Sequence, residues 1–401
     1  MEQENDATLP QTKRTVFLAL IGIVMVALNL RVAAVAASPI YGIIAKTFPI
    51  SNTWHGIMGM LPLLCFGVFG LFSPWINRKI GLEKGLILSM LMITVGEAAR
   101  GGLSHSIYFF AASSILSMGG MGIGNVLILP AIKHYFPKRI GLITGVYLVL
   151  IAVSAAIPSA IAVPVTHSMG WRFSLGIWSV LALLAALPWF WLIHAPVQAD
   201  QKNKSTDYKV WKWPVSWAIA MVFSVGALVM YALIAWLPSI LITSAGKSAV
   251  TAGIMLSVYN LSGLPHSLII PIVLTRMKKP YLIVLLGSIC IITGVLGLAY
   301  LPSSSWIWIF PAGLGAMLVP VGLTFVSMRS RTEEGTTALS GFVQSVGYLI
   351  ASIGPLLVGT LHSSSAGWIL PCYFMAITAV IAAIAGIIAV RPVFIEDMNK
   401  K

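Results

Sequence analysis

Charge is what this chain has least of. Asp and Glu together number 11 in 401 residues, and all four charged types make up only 9% of it. A soluble domain carries about 25%, because water must wet its surface. Here 58% of residues are hydrophobic and the mean hydropathy is +0.94, so the outer surface must itself be apolar and its solvent a lipid bilayer. Cysteine is scarce as well. Cys65, Cys290 and Cys372 all lie inside apolar runs and show no disulfide or metal spacing. The 7 histidines are scattered without ligand spacing, so no metal or other cofactor is expected. Enzyme motifs are missing, and so is any phosphate-binding loop. Gly122-Ile123-Gly124 falls within an apolar run, where no phosphate cradle opens a soluble helix. Period-two alternation is missing too: 15–28 and 368–390 are almost continuously apolar, which excludes a transmembrane barrel. The first run is too long for a secretory leader and lacks a clear cleavage site, so it is expected to remain as a helix.

What the chain does have is apolar length. A membrane span takes about 20 such residues. Twelve are predicted, near 15–40, 53–75, 84–101, 106–129, 140–163, 171–193, 214–240, 249–274, 281–301, 304–328, 338–361 and 366–390. The expected organisation is a six-helix bundle over 1–194, a linker over 195–212 and a second six-helix bundle over 213–401. The net charge of +14 comes from basic residues gathered on one set of loops. These include Lys13, Arg14, Arg78, Lys79, Lys133, Lys138 and Arg139, the linker residues Lys202, Lys204, Lys209 and Lys212, and Arg276, Arg329, Arg331, Lys400 and Lys401. The opposite loops hold little beyond Lys46, Arg100, Arg172 and Lys247. That asymmetry predicts a multi-pass protein of the cell membrane with both termini and the linker in the cytoplasm. It explains the charge without a nucleic-acid partner.

The halves repeat. Gly56-Ile57-Met58 recurs as Gly253-Ile254-Met255, Pro74 as Pro271, Pro158 as Pro355, and Gly170-Trp171 as Gly367-Trp368, all displaced by 197 positions. Each half starts on the same side, so the repeats are parallel, related by a pseudo-two-fold along the membrane normal. The loop Arg78-Lys79-Ile80-Gly81-Leu82-Glu83-Lys84 resembles the major facilitator signature between spans 2 and 3, departing from it at Arg78, where an acidic residue is usual. More specific blocks are Asn29-Leu30-Arg31, Gly122 to Leu127 with Pro130-Ala131-Ile132-Lys133, Ala235-Trp236-Leu237-Pro238, and Leu339 to Ala351 followed by Gly354-Pro355. On these the chain resembles the cyanate and nitroimidazole transporter family of the major facilitator superfamily. The resemblance implies an all-α, twelve-helix fold and secondary transport by alternating access. The implied cargo is a small organic anion or a nitro- or cyanate-like solute, with proton coupling as an option. Export of weakly polar toxic compounds is the alternative. The carrier is expected to act as a monomer.

Among single residues Arg31 stands out. At about 1.5 Å per residue it lies roughly 24 Å along the first span, where a charge is costly unless it faces a cavity or a partner. A guanidinium can hold a carboxylate, cyanate or nitro group through two parallel hydrogen bonds; the bland alternative is snorkelling to headgroups. Glu97 and Arg100 stand one turn apart. They read first as an i,i+3 ion pair near the outer interface, and otherwise as a proton-coupling carboxylate. Tyr259, Ser262 and His266 share a helix face, and His266 is a candidate for proton or substrate binding, balanced by the option of a packing hydrogen bond. Gln344 and Tyr348, with Gly341 and Gly347 beside them, form a polar stripe suited to a cavity. Asn125, Tyr147 and Tyr231 are further substrate-binding candidates. Gly120-x-x-x-Gly124 reads as a close helix contact.

Overall fold

In lipid every backbone N–H and C=O must find a partner within the protein, and an apolar run achieves that by closing its own helical bonds. In the computed structural model, which describes residues 13–48, 51–137, 139–193, 209–365 and 367–398, no strand occurs among the described residues. The spans are α1 Lys13–Ile44, α2 Asn52–Ile80, α3 Leu82–Gly102, α4 Ile107–Tyr135, α5 140–169 and α6 171–192 in the first half. The second half holds α7 Pro214–Thr243, α8 Ala249–Arg276, α9 Tyr281–Tyr300, α10 Pro302–Met328, α11 Glu333–Ser365 and α12 Ile369–Ala389. Ten stretches are long and apolar enough to cross a bilayer. One of them, the 51 residues of Leu142–Leu192, is two spans, because Gly170 turns the chain at φ 82°. The twelfth is α3, whose hydropathy is lowered by Glu83, Lys84, Glu97 and Arg100. Lys138, Lys202, Lys204, Lys400 and Lys401, and most of the linker, lie outside the described residues.

Small residues set the packing within each half, as expected where lipid supplies no hydrophobic drive between helices. A methyl group on Gly120 would meet the Ser89 carbonyl at 2.6 Å, and the Ser89 hydroxyl donates to the Gly120 carbonyl at 2.7 Å. The spacing Gly120-x-x-x-Gly124 is therefore a close α3–α4 contact. All twelve predicted spans are present, but several run past their predicted ends: α2 to Ile80, α4 through Pro130 to Tyr135, α5 to 169, and α11 from Glu333 to Ser365. The first span is not one continuous helix but breaks at 28–31 and again at 36–40.

The sequence repeat reappears as repeated contacts. Added carbon at Gly56 would strike Leu356 and Pro355 of α11, and at Gly253 would strike the Ser159 carbonyl of α5. Positions 56 and 253, and 159 and 356, are each 197 apart, so α2–α11 and α5–α8 make equivalent joints between the halves. Both joints lie toward the end of the bundle remote from the chain termini, called here the far face. The opposite end is the terminus face. There a last turn, Ile395–Met398, braces the start of α11. Glu396 accepts hydrogen bonds from the amides of Arg331 (2.8 Å) and Thr332 (3.0 Å), and Arg331 pairs with Asp397 at 3.0 Å. Burial opposes ionisation of Glu396, but those amides outweigh it and hold its carboxyl below the usual range.

Candidate functional site

The break in α1 creates the site. At 28–30 the ladder tightens: the amide of Asn29 bonds the Val26 carbonyl (2.9 Å) and that of Leu30 the Ala27 carbonyl (3.3 Å). Arg31 then leaves helical geometry at φ −130°, ψ −12°. Carbonyls beside the break need other donors, and side chains supply them. Asn29 Nδ2 donates to the Met25 carbonyl at 2.8 Å, Arg31 Nη1 to that of Leu30 at 3.0 Å, and Arg100 Nη1 to that of Ala33 at 2.9 Å.

Arg31 consequently points among aromatic rings from both halves. Its guanidinium lies over the Phe66 ring of α2 at 5.0 Å, within reach of a cation–π interaction. Phe66 meets Tyr231 of α7 at 6.3 Å and Tyr348 of α11 at 5.9 Å between ring centroids, and Tyr348 meets Phe223 at 5.1 Å. Tyr147, Tyr231 and Tyr348 are the electrostatic neighbours of Arg31. The Tyr147 hydroxyl of α5 donates to Asn125 Oδ1 of α4 at 3.2 Å. Tyr147 and Tyr231 are buried, while Arg31, Asn125 and Tyr348 stay partly accessible. Among the described residues Arg31 has no carboxylate partner. The arrangement is an aromatic box between the halves with one uncompensated positive charge.

Five of the residues singled out from sequence, namely Arg31, Asn125, Tyr147, Tyr231 and Tyr348, are thus brought together. Gln344 lies one turn from Tyr348 toward the terminus face and donates to Ser340 at 2.9 Å. Tyr259 and His266 lie elsewhere. With Ser262, whose hydroxyl donates to the Tyr259 carbonyl at 2.6 Å, they pack on α10 at Gly313, inside the second half. Glu97 and Arg100 form the expected ion pair at 3.0 Å in the last turns of α3, and both side chains are buried in the protein. Ser117 donates to the free oxygen of Glu97 at 3.1 Å, and Arg100 also lies 5.7 Å from the Phe110 ring.

Phe66 escaped the sequence reading because one Phe among 16 carries no mark of its own. So did the latch at the far face. Pro238 has no N–H, so the Ile234 carbonyl one turn earlier loses its helical donor. Ser38 of α1 donates to that oxygen at 2.7 Å, with the Ala235 carbonyl at 3.0 Å. His55 of α2 reaches the Ala235 carbonyl through Nε2 at 3.0 Å, which requires the Nε2–H tautomer. The His55 ring lies 3.8 Å from that of Trp236, whose indole donates to the Pro355 carbonyl at 2.8 Å. Asn260 adds a bond to Ser159 across α8 and α5 at 3.3 Å. The signal was Ser38-Pro39 and Pro238, two turn-prone or ladder-breaking spots in otherwise apolar runs.

Two parallel six-helix halves, latched at one face over a central charged box, define a membrane carrier. The chain belongs to the Major Facilitator Superfamily, whose family model matches residues 19–316. It is similar to the 2-nitroimidazole transporter of Escherichia coli (strain K12), 32% identical over 375 residues, covering 92% of this chain and 94% of that one. The cyanate transport protein CynX of the same strain is 25% identical over 368 residues, covering 90% and 94%. In fold the chain matches an inward-facing bacterial homologue of the human lysosomal transporter Spinster, with a TM-score of 0.77 at 15% identity over 97% of this chain and 99% of that one. The protein is a transporter, not an enzyme.

Proposed function

We propose that the protein carries a small, planar organic or inorganic anion, or a nitro- or cyanate-bearing solute, across the cell membrane by alternating access. The observation that carries this reading is Arg31, a permanent cation set between the halves with no carboxylate to neutralise it. A solute bearing two adjacent oxygens, or a linear anion, can take the guanidinium N–H groups that Leu30 leaves free. Tyr147, Asn125, Tyr231 and Tyr348 supply hydroxyl and amide groups for the rest of it, and Phe66 a flat wall. The relatives named for 2-nitroimidazole and cyanate fit such a pocket. The latch of Ser38, His55 and Trp236 holds the far face closed, so it must part for solute to pass there, and the terminus face is the side from which solute reaches the site on this reading. The Lys and Arg distribution supports a cytoplasmic terminus face. Export of weakly polar toxic compounds is the second reading, favoured by the aromatic walls; Arg31 argues against it, because a neutral apolar cargo leaves the charge unanswered. If protons drive the carrier, the candidate groups remain Glu97 and His266, and neither borders Arg31.

Arg31→Ala tests the reading. Losing a charge-assisted bond of about 1.5–3 kcal/mol should weaken solute binding roughly ten- to a hundred-fold. Binding is followed as the thermal shift of purified protein with cyanate, nitrate, benzoate or 2-nitroimidazole, and the variant should remain folded. Wild-type affinity in that variant would show that the charge is structural.

A further inference from the structure

We infer that the carrier is an anion exchanger, which re-orients readily only with an anion on Arg31 and so moves one anion out for each one in. This rests on the anion site proposed at Arg31 and adds how that site is coupled. A carrier that returns empty must close around its vacant site on both sides. A guanidinium cannot shed its proton to make that passage neutral. Nor does any neighbour among the described residues supply the missing negative charge. Of the 11 acidic residues, Glu2, Glu4 and Asp6 precede α1, Asp200 and Asp207 belong to the linker, and Glu396 and Asp397 follow α12. Glu333 and Glu334 are the first residues of α11, well over two turns from Tyr348. Glu83, in the first turn of α3, accepts from the Tyr135 hydroxyl at 2.7 Å. Glu97 is already spent on Arg100. The three phenols around Arg31 are neutral near pH 7, since tyrosine ionises at about 10.

The empty, closed carrier therefore leaves one unpaired charge in an aromatic enclosure, where desolvation is heavily unfavourable. A bound monoanion cancels it. The loaded form crosses as a neutral unit and the empty form is held back, so each passage requires cargo. A titratable carboxylate beside the solute, the device that allows a proton-driven carrier to return empty, has no counterpart in this box among the described residues. Exchange of one monoanion for another is also electrically silent.

The test uses full-length protein in liposomes, with cyanate, nitrate, benzoate and 2-nitroimidazole as probes, each first checked for binding by thermal shift. Uptake of the binding probe is compared between vesicles loaded with the same unlabelled compound and vesicles holding sulfate alone. Loaded vesicles should take it up more than about ten-fold faster, a difference worth one decade of barrier. Clamping the membrane potential to zero, or imposing a pH gradient, should leave that ratio unchanged. Equal uptake into loaded and sulfate-filled vesicles, with binding intact, overturns exchange while leaving the anion site standing. Accumulation that follows an imposed pH gradient does the same. No binding by any of the four probes removes the anion site and the exchange with it.

Discussion

Arg31 and Arg100 are both drawn into the membrane-spanning part of the first half, and their surroundings give them opposite roles. Arg100 has a carboxylate partner, Glu97, together with the Ala33 carbonyl and the face of Phe110. It ties α3 to α1 just past the break and leaves no charge over. Arg31 has only its neighbouring carbonyl and Phe66, which leaves its charge for a visitor. Glu97→Gln separates the two roles. It strands the buried Arg100 charge, and stability should fall by about 3–5 kcal/mol, seen as a lowered melting temperature in detergent. Uptake per folded molecule should hold near wild type, and loss of pH-driven uptake at unchanged stability would instead make Glu97 a coupling residue. Both arginines were visible in the sequence, because charges are so rare in these spans. The i,i+3 spacing also disclosed the ion pair. What the sequence could not disclose was burial, since spacing says nothing of whether a pair faces outward or into the packed interior.

At the scale of helices, the informative places are those where the ladder fails. Apolarity alone suggests a continuous first helix over 15–40, whereas α1 unwinds at 28–31, because Asn29, Arg31 and Arg100 can satisfy the carbonyls it frees. Pro238 could be read as a ladder defect from the sequence. Its partner could not, since Ser38 lies 196 positions from Ile234. The glycines of α2 complete that closure. A methyl on Gly59 would sit 2.6 Å from the Ala235 Cβ and 2.9 Å from the Pro355 Cβ. Gly59→Val should therefore wedge α2 away from α7 and α11 and weaken the closed far face by about 1–3 kcal/mol, the usual cost of overpacking. Spin labels at Lys46 and Ser364, both exposed at that face, should move apart in the variant. Unchanged distances would mean that the halves absorb the extra bulk elsewhere.

For the molecule as a whole, the 197-residue offset was the strongest architectural signal in the chain. It anticipated not only six helices in each half but also which joints are equivalent. The site was legible in part. Polar residues in apolar helices could be picked out, but which of them meet depends on helix rotation. That separated Tyr147 and Tyr348, which reach Arg31, from Tyr259 and His266, which face α10. Orientation rests on the basic loops. Epitope tags placed before residue 13 and after residue 398 should both be reached by antibody in inverted membrane vesicles, and neither in right-side-out vesicles; a tag reached from opposite sides would undo the even span count. The latch has one more consequence. Its acceptors on α7 are main-chain oxygens that no substitution of Ile234 or Ala235 can delete, whereas its donors are the side chains of Ser38 and His55. The α7 end of the closure is therefore adjustable bond by bond from α1 and α2, and carriers of this design that differ in how readily the far face opens should diverge at those two positions.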